Sequence, residues 1–465
     1  MPESSEPTVS KSKGWIYIPV EVKVRELQAK TLLAGFAAER GYNVVIGEAH
    51  AVRRCLHQMP AGVVLEKGVA PSKTEGFHFA KAKGHRVMSW CEEGLVFFND
   101  EDYIRRKINP EDLRDCECFF AWGPYQANVL GAAFPDMADK ILEVGNPRMD
   151  LLKPDFRGVF DQEAAALKEK HGKFILVNTN FSHCNHSKGE DGYFQLIQGK
   201  MTSPEVEAFT RAWLAHKEVL FSAFKDAIPK LGERYPDMKV IVRPHPGENH
   251  DTYRDLYKDL PNVEVIHEGG VMPWLRAAEV LVHNGCFTGI EALLIGCPAI
   301  AYRPVRSETY DQYLPNSVNV QADDESALFS AMDRLLIEKD RAAFVDLPEG
   351  YEALAQHLII EDGKTSCDAI LDEVDQLPRP LPKLNRRPWF CLHRLHIQGY
   401  IRLYNFLEAL VTGHGDRGDY SRQKFPGLEA GEMESEIHLL QTISGRFTGL
   451  KSRQLGKDLF WLRAQ

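Results

Sequence analysis

The sequence predicts an α/β protein built from two doubly wound units, each a parallel sheet with helices on both faces. Three observations predict it. Short apolar runs of strand length recur along the chain, separated by stretches of helical spacing. The length, 465 residues, is too great for one ordinary core and suits two domains of roughly 150 to 200 residues with extensions. A hydrophobic content of 44% with 35 glycines fits a globular protein rich in tight turns.

The elements follow in order. Residues 15–18 (Trp-Ile-Tyr-Ile) read as a strand, and residues 25–39 as a helix with Leu27, Leu32, Leu33 and Phe36 on one face, stopped by Gly41. Residues 43–46, 62–65, 86–90 and 118–121 are the next four strands. Val144-Gly145-Asn146-Pro147-Arg148 ends this half, and a polar stretch, 153–173, leads to the second. There, residues 174–177 form a strand, and a helix runs from about 204 to 231 with Trp213, Leu220 and Phe224 inward. Strands follow at 238–242, 263–266, 280–282 and 299–302, then helices at 325–338 and 351–376. Leu377-Pro378-Arg379-Pro380-Leu381-Pro382 breaks the pattern as a linker. Beyond it, residues 383–407 are basic and aromatic, and residues 424–462 read as a helix with a short following strand or turn.

Charge and cysteine usage narrow the class. The net charge is −10, yet residues 380–465 hold 13 Lys and Arg against 8 Asp and Glu, so the remainder carries 43 against 58. A basic tail on an acidic body points to an anionic partner, for which a lipid surface and packing on the first domain are equal readings. No run approaches the ~20 apolar residues of a membrane span, and residues 1–13 are polar, so no secretory signal is expected. Nine scattered cysteines suit a reducing compartment. Neither Cys116-Glu117-Cys118 nor His183-Cys184-Asn185-His186 has the paired spacing of a zinc site.

The chemistry-bearing residues fall at strand ends, where ligands bind in open α/β sheets. Arg243-Pro244-His245-Pro246 follows the strand 238–242. His283-Asn284-Gly285-Cys286-Phe287-Thr288-Gly289 follows the strand 280–282 and enters a helix that Gly296 and Pro298 close. A helix start offers free N–H groups and partial positive charge, a phosphate site. Cys286, Phe287 and Thr288 are its expected donors. Glu291, one turn in, is placed to reach a ribose hydroxyl; a carboxylate amid Ile290, Ala292, Leu293 and Leu294 needs a partner. Asn178 and Asn180 either line the same site or make ordinary turns. His245 is expected to donate to a leaving phosphate, and Arg243 to add charge there or to pair with a structural carboxylate. In the first unit Glu92-Glu93-Gly94 follows the strand 86–90. Two adjacent carboxylates, partly buried, raise one pKa toward that of a general base, with a solvated acidic turn as the alternative.

These motifs carry a resemblance. An acidic pair with glycine in the first domain, a His-Pro pair in the second and a hydroxyl at a helix start resemble bacterial sialyltransferases; here they are Glu92-Glu93-Gly94, His245-Pro246 and Thr288. The wider pattern, from Ile18-Pro19-Val20-Glu21 through Gly145-Asn146-Pro147-Arg148 to residues 283–289 and Lys424-Phe425-Pro426-Gly427, resembles the bacterial surface carbohydrate biosynthesis protein family over most of the chain. Capsule Kdo transferases and teichoic-acid glycerophosphotransferases are similar to the second half. The resemblance implies the GT-B fold: two Rossmann-like doubly wound domains facing a cleft, 14–150 for the acceptor and 165–345 for the nucleotide sugar. Closing helices, 346–378, and a mainly helical C-terminal extension, 379–465, complete it.

The activity implied is metal-independent glycosyl transfer in surface polysaccharide or glycoconjugate biosynthesis. An acidic sugar, a nonulosonic acid or Kdo, would pass from a CMP-sugar donor to a glycan, lipid-linked or protein acceptor. Glu92 would be the base, Glu93 the fallback and His245 the donor to the leaving phosphate. No cofactor and no nucleic acid is expected. The expected location is the cytoplasm, peripherally at an anionic inner-membrane surface. Three alternatives stay open: a UDP-sugar 2-epimerase-like enzyme, a CDP-glycerol-type glycerophosphotransferase, and a non-catalytic polysaccharide assembly partner.

Overall fold

A computed structural model describes residues 12–189, 193, 203–360, 363–378 and 424–464. The chain divides into two compact units: residues 12–95, 99–159 and 357–464 form the first, and 96–98 with 160–356 the second. Both are Rossmann-like α/β units, so the fold is GT-B-like.

In the first unit, strands β1 (Gly14–Val20), β2 (Tyr42–Glu48), β3 (Val63–Glu66), β4 (Arg86–Trp90), β5 (Phe119–Ala121) and β6 (Ile141–Glu143) lie parallel in the order β2-β1-β3-β4-β5-β6. The order turns at β1/β3, which makes that pair the switch point of the sheet. The strand β6 escapes sequence reading because it is three residues long and buries only Ile141. The helix Lys23–Glu39 lays Leu27, Leu32, Leu33 and Phe36 into the core beside β1 and β2.

The C-terminal residues complete this sheet. The helix Ala430–Ser444 precedes an antiparallel hairpin, β13 (Leu450–Gly456) and β14 (Leu459–Ala464), and β14 pairs antiparallel with the edge strand β2. Residues 424–464 are thus one helix and a two-stranded ribbon rather than mainly helix. Leu459, Phe460 and Leu462 are fully buried. The approach is close at Gly47, where a Cβ would stand 2.0 Å from the Asp458 carbonyl oxygen. The expected single helix at 351–376 is two, Pro348–Ala355 in the second unit and Ser366–Gln376 in the first. Asp150 caps the latter, accepting the Ser366 and Cys367 N–H groups at 2.9 Å each, and Arg40 pairs with its Asp368 and Asp372. The basic aromatic segment 383–407 lies outside the described residues.

The second sheet is wholly parallel: β7 (Phe174–Asn178), β8 (Lys239–Arg243), β9 (Val263–Val265), β10 (Val280–His283), β11 (Ala299–Tyr302) and β12 (Val320–Ala322), in the order β12-β11-β10-β7-β8-β9. This is the 3-2-1-4-5-6 order of dinucleotide-binding sheets, with its switch point between β7 and β10. The edge strand β12 was not expected; it is three residues long and buries only Ala322. The long helix, Pro204–Arg234, buries Trp213, Leu220, Phe224 and Leu231 as its periodicity predicts. The polar stretch expected as a linker holds a helix, Asp161–His171, with only Ala164 and His171 buried.

Candidate functional site

The second unit gathers most of the expected residues at one place. Asn178 ends β7, Arg243 ends β8 as its register partner, and His283-Asn284 ends β10 beside β7. These are the carboxyl ends at and next to the switch point. After Asn284 the chain turns at Gly285, whose φ of +50° is left-handed and whose N–H donates to Asn316 Oδ1 at 2.7 Å. The helix Thr288–Ile295 then begins with no side-chain cap and ends at Gly296 in the left-handed region. It packs hard on β10: a Cβ at Gly289 would stand 2.4 Å from His283 Cε1. That close seat aims the helix start at the switch point.

Several buried polar atoms there lack partners. Asn284 is 2% exposed, and neither its Oδ1 nor its Nδ2 is hydrogen-bonded. Asn178 Oδ1 is likewise buried and unpartnered. Thr288 Oγ1 is buried, and the hydroxyl acts on the neighbouring Cys286 thiol. Buried polar groups are nearly always paired, so these atoms leave hydrogen-bonding capacity unused at the switch point. Glu291 is buried one turn into the helix. Asn180 is half-buried beyond β7. The Cys286 thiol is pushed up by burial, which suits a packing role and not a nucleophile.

The Arg243-Pro244-His245-Pro246 turn is pinned from below. Glu248, which sequence reasoning missed, is 2% exposed and accepts from Thr179 Oγ1 at 2.8 Å, from the His245 N–H at 2.9 Å and from the Tyr253 hydroxyl. Burial raises its pKa against those three bonds. His245 Nδ1 accepts the Gly247 N–H at 3.1 Å, so a neutral ring carries its proton on Nε2. Desolvation, then the neighbouring His250, holds its pKa below the ordinary value although the residue reaches the surface. The neutral donor form therefore prevails at pH 7. Among the described residues Arg243 binds no carboxylate. Its guanidinium donates to the Glu268 and Gly269 carbonyls at 2.7 and 2.6 Å and lies 5.6 Å from the Trp274 ring centre, with burial lowering its pKa to about 10. It clamps the turn after β9.

In the first unit, Glu92 is 5% exposed and belongs to a buried ionic network at the strand ends. Its Oε1 lies 3.2 Å from Lys30 Nζ and accepts Trp90 Nε1 at 2.9 Å, while Oε2 is buried without a partner. Lys30 also pairs with Glu26 at 2.9 Å and donates to the Pro19 carbonyl. Glu21 takes Lys67, Lys73 and Lys424 within 2.8 Å, which together overcome burial and drive its pKa far down. The expected upward shift is absent at Glu93. That carboxylate is half-exposed and bonded to Lys107, which outweighs burial and lowers its pKa. The network's lysines were not legible, because nothing in sequence spacing ties Lys30, Lys67, Lys73 and Lys424 together.

No protein-family model and no curated protein matches the chain. Solved structures do. A UDP-N-acetylglucosamine 2-epimerase is 12% identical over 81% of this chain and 100% of its own, with a TM-score of 0.50. The Neisseria meningitidis UDP-GlcNAc 2-epimerase bound to UDP-GlcNAc is 12% identical over 78% and 100%, with a TM-score of 0.49. The Methanocaldococcus jannaschii UDP-GlcNAc 2-epimerase is 14% identical over 73% and 98%, with a TM-score of 0.45. At such identities the likeness is one of fold. It gives no support to the narrower resemblance to sialyltransferases and Kdo transferases. Among the described residues no helix is long and apolar enough to cross a membrane.

Proposed function

We propose that this protein is an enzyme of nucleotide-activated sugars, holding the nucleotide at the carboxyl ends of β7 and β10, and that its reaction is of the UDP-sugar 2-epimerase type. The observation that carries the site is the set of unpartnered buried polar atoms on Asn178 and Asn284 at the start of the helix Thr288–Ile295. In this reading the helix start and Thr288 receive phosphate, Glu291 the ribose, and His245 Nε2–H is the donor to the phosphate oxygen. When the sugar–phosphate bond breaks, its electron pair passes to that oxygen, and a neutral imidazole donor stabilises the charge. Arg243 and Glu248 position the turn that carries His245.

The shared fold with a UDP-N-acetylglucosamine 2-epimerase favours a UDP-sugar over the CMP-sugar expected from the sequence. The Lys30 pairing of Glu92 points the same way, since a base for an incoming acceptor is more useful unpaired. Glycosyl transfer within surface glycan assembly is the second reading, carried by the Glu92-Glu93-Gly94 and His245-Pro246 motifs. One experiment separates them. With UDP-N-acetylglucosamine in D2O and no acceptor, epimerisation gives a second hexosamine and deuterium at the carbon beside the anomeric centre, seen by proton NMR. A transferase leaves the sugar unchanged until an acceptor is added. Absence of thermal stabilisation by UDP, CMP, CDP and GDP alike would overturn both.

A further inference from the structure

The helix Pro204–Arg234 brings a lysine into the strand-end layer of the second unit. Trp213 meets the His183 ring edge-on at 4.3 Å, and the Cys184 thiol faces the Leu214 carbonyl at 3.8 Å. His216 Nε2 lies 2.8 Å from Asp311. These contacts seat residues 213–217 between the loop after β7 and the loop after β11. Lys217, buried on that stretch, feels the charges of Asp311, Cys184, Cys286 and Arg303, which places it toward the loops after β7, β10 and β11.

Lys217 is 6% exposed, and among the described residues its ammonium makes no hydrogen bond or ion pair. Asp311, the carboxylate it feels, is already used: it takes His216, Arg303 and the Ser307 N–H. Burial of the side chain, only partly offset by Asp311, Cys184 and Cys286, pulls its pKa below the ordinary lysine value. His183 sits beside it with its pKa lowered to about 3, chiefly by burial, so that ring is neutral and adds no repelling charge at pH 7. Among the described residues this cation is therefore left without an ion pair and can meet an anion from outside. The helix start supplies N–H groups for one phosphate, and the unpartnered amide of Asn284 opens on the same switch point.

We infer that Lys217 binds a second phosphate group beside the one at the helix start, so that the site selects a nucleoside diphosphate over a nucleoside monophosphate. This rests on the nucleotide-sugar reading above. A UDP-sugar carries two phosphate charges where a CMP-sugar carries one, and the helix start with Lys217 matches the pair.

The test is binding of UMP and UDP to the full chain by titration calorimetry, for wild type, Lys217→Gln and Lys217→Arg. Wild type should bind UDP about tenfold or more tighter than UMP, the scale of one charge-assisted hydrogen bond. In Lys217→Gln that ratio should fall to about one while UMP affinity stays, and Lys217→Arg should keep a preference. The nucleotide-free Lys217→Gln protein should melt no lower than wild type, since an unpaired buried charge has been removed. A wild-type ratio near one, or an unchanged ratio in Lys217→Gln, overturns the assignment and leaves the nucleotide site standing. Binding of neither nucleotide to wild type overturns both. Lys217→Met gives the same comparison should the glutamine variant fail to fold.

Discussion

Asn284 buries both polar atoms of its side-chain amide without a partner, a state that costs about 1–3 kcal/mol and persists when a ligand completes it. Replacing Asn284 by leucine, of nearly the same shape, should therefore raise the stability of the nucleotide-free protein or leave it unchanged, while nucleotide affinity falls about tenfold. Denaturant unfolding and calorimetry on the same preparation check it; a variant that is both less stable and fully competent to bind would show the amide to be structural. Glu92 carries the opposite expectation. It shares Lys30 with Glu26 in a buried ionic network, so Glu92→Gln should lower stability by about 1–3 kcal/mol whatever it does to turnover. Equal unfolding midpoints for the variant and wild type would count against the ion pair. The residue scale is also where sequence reading stopped short. His245, Thr288 and Glu291 stand out as candidates because each lies in a strand–turn–helix context. Lys217 does not, because a lysine in a long amphipathic helix reads as surface until its neighbours Trp213 and His216 are seen turned inward.

The helix Thr288–Ile295 works as one element with β10, and Gly289 is the contact between them. An added methyl there would meet His283, which is fully buried and held by Asn319 at 3.1 Å, so neither side can yield. Gly289→Ala should cost about 1–3 kcal/mol and tilt the helix start enough to lose nucleotide binding. A stable variant that binds normally would refute the tight seat. The same contact sets an acid limit. Burial first, then Arg303, lowers the His283 pKa to about 3, against an unfolded value near 6.5. Below about pH 6.5 the unfolded chain takes up a proton that the native ring refuses, so stability falls by about 1.4 kcal/mol per pH unit on the way to pH 3. His183 and His267, lowered to about 3 and about 4, add in the same direction. His283→Gln should flatten this acid slope in denaturant titrations at pH 7, 6 and 5; an equal slope would remove His283 from the account. Element identity was legible wherever apolar runs exceeded about four residues, as at β1, β8 and the long helix. The strands β6 and β12 were not, since three residues with one buried side chain carry no period to read.

At the scale of the whole chain, the C-terminal residues have two separable jobs. Residues 424–464 close the first sheet: β14 covers β2, Trp461 stacks on Trp15 at 5.8 Å, and Phe447 packs on Phe36 at 5.5 Å. Without them β2 becomes a bare edge whose Val44, Val45 and Ile46 lie in the core, a template for pairing with other chains. Leu459, Phe460 and Leu462 would also lose their burial, worth roughly 1.5–3 kcal/mol each. A chain ending at Leu377 should therefore aggregate rather than fold, which light scattering and circular dichroism report. Residues 383–407 are a different matter. They carry five Lys and Arg and no acid, with aromatic residues between, and each cation near an anionic lipid surface contributes about 1 kcal/mol. Deleting 383–407 alone, with a flexible bridge in its place, should leave thermal stability unchanged and abolish binding to phosphatidylserine vesicles, binding that in wild type weakens from 50 to 300 mM salt. Retained vesicle binding in that deletion would end the membrane role of the segment. A collapse of stability would show instead that it packs on the body, as the hairpin after it does.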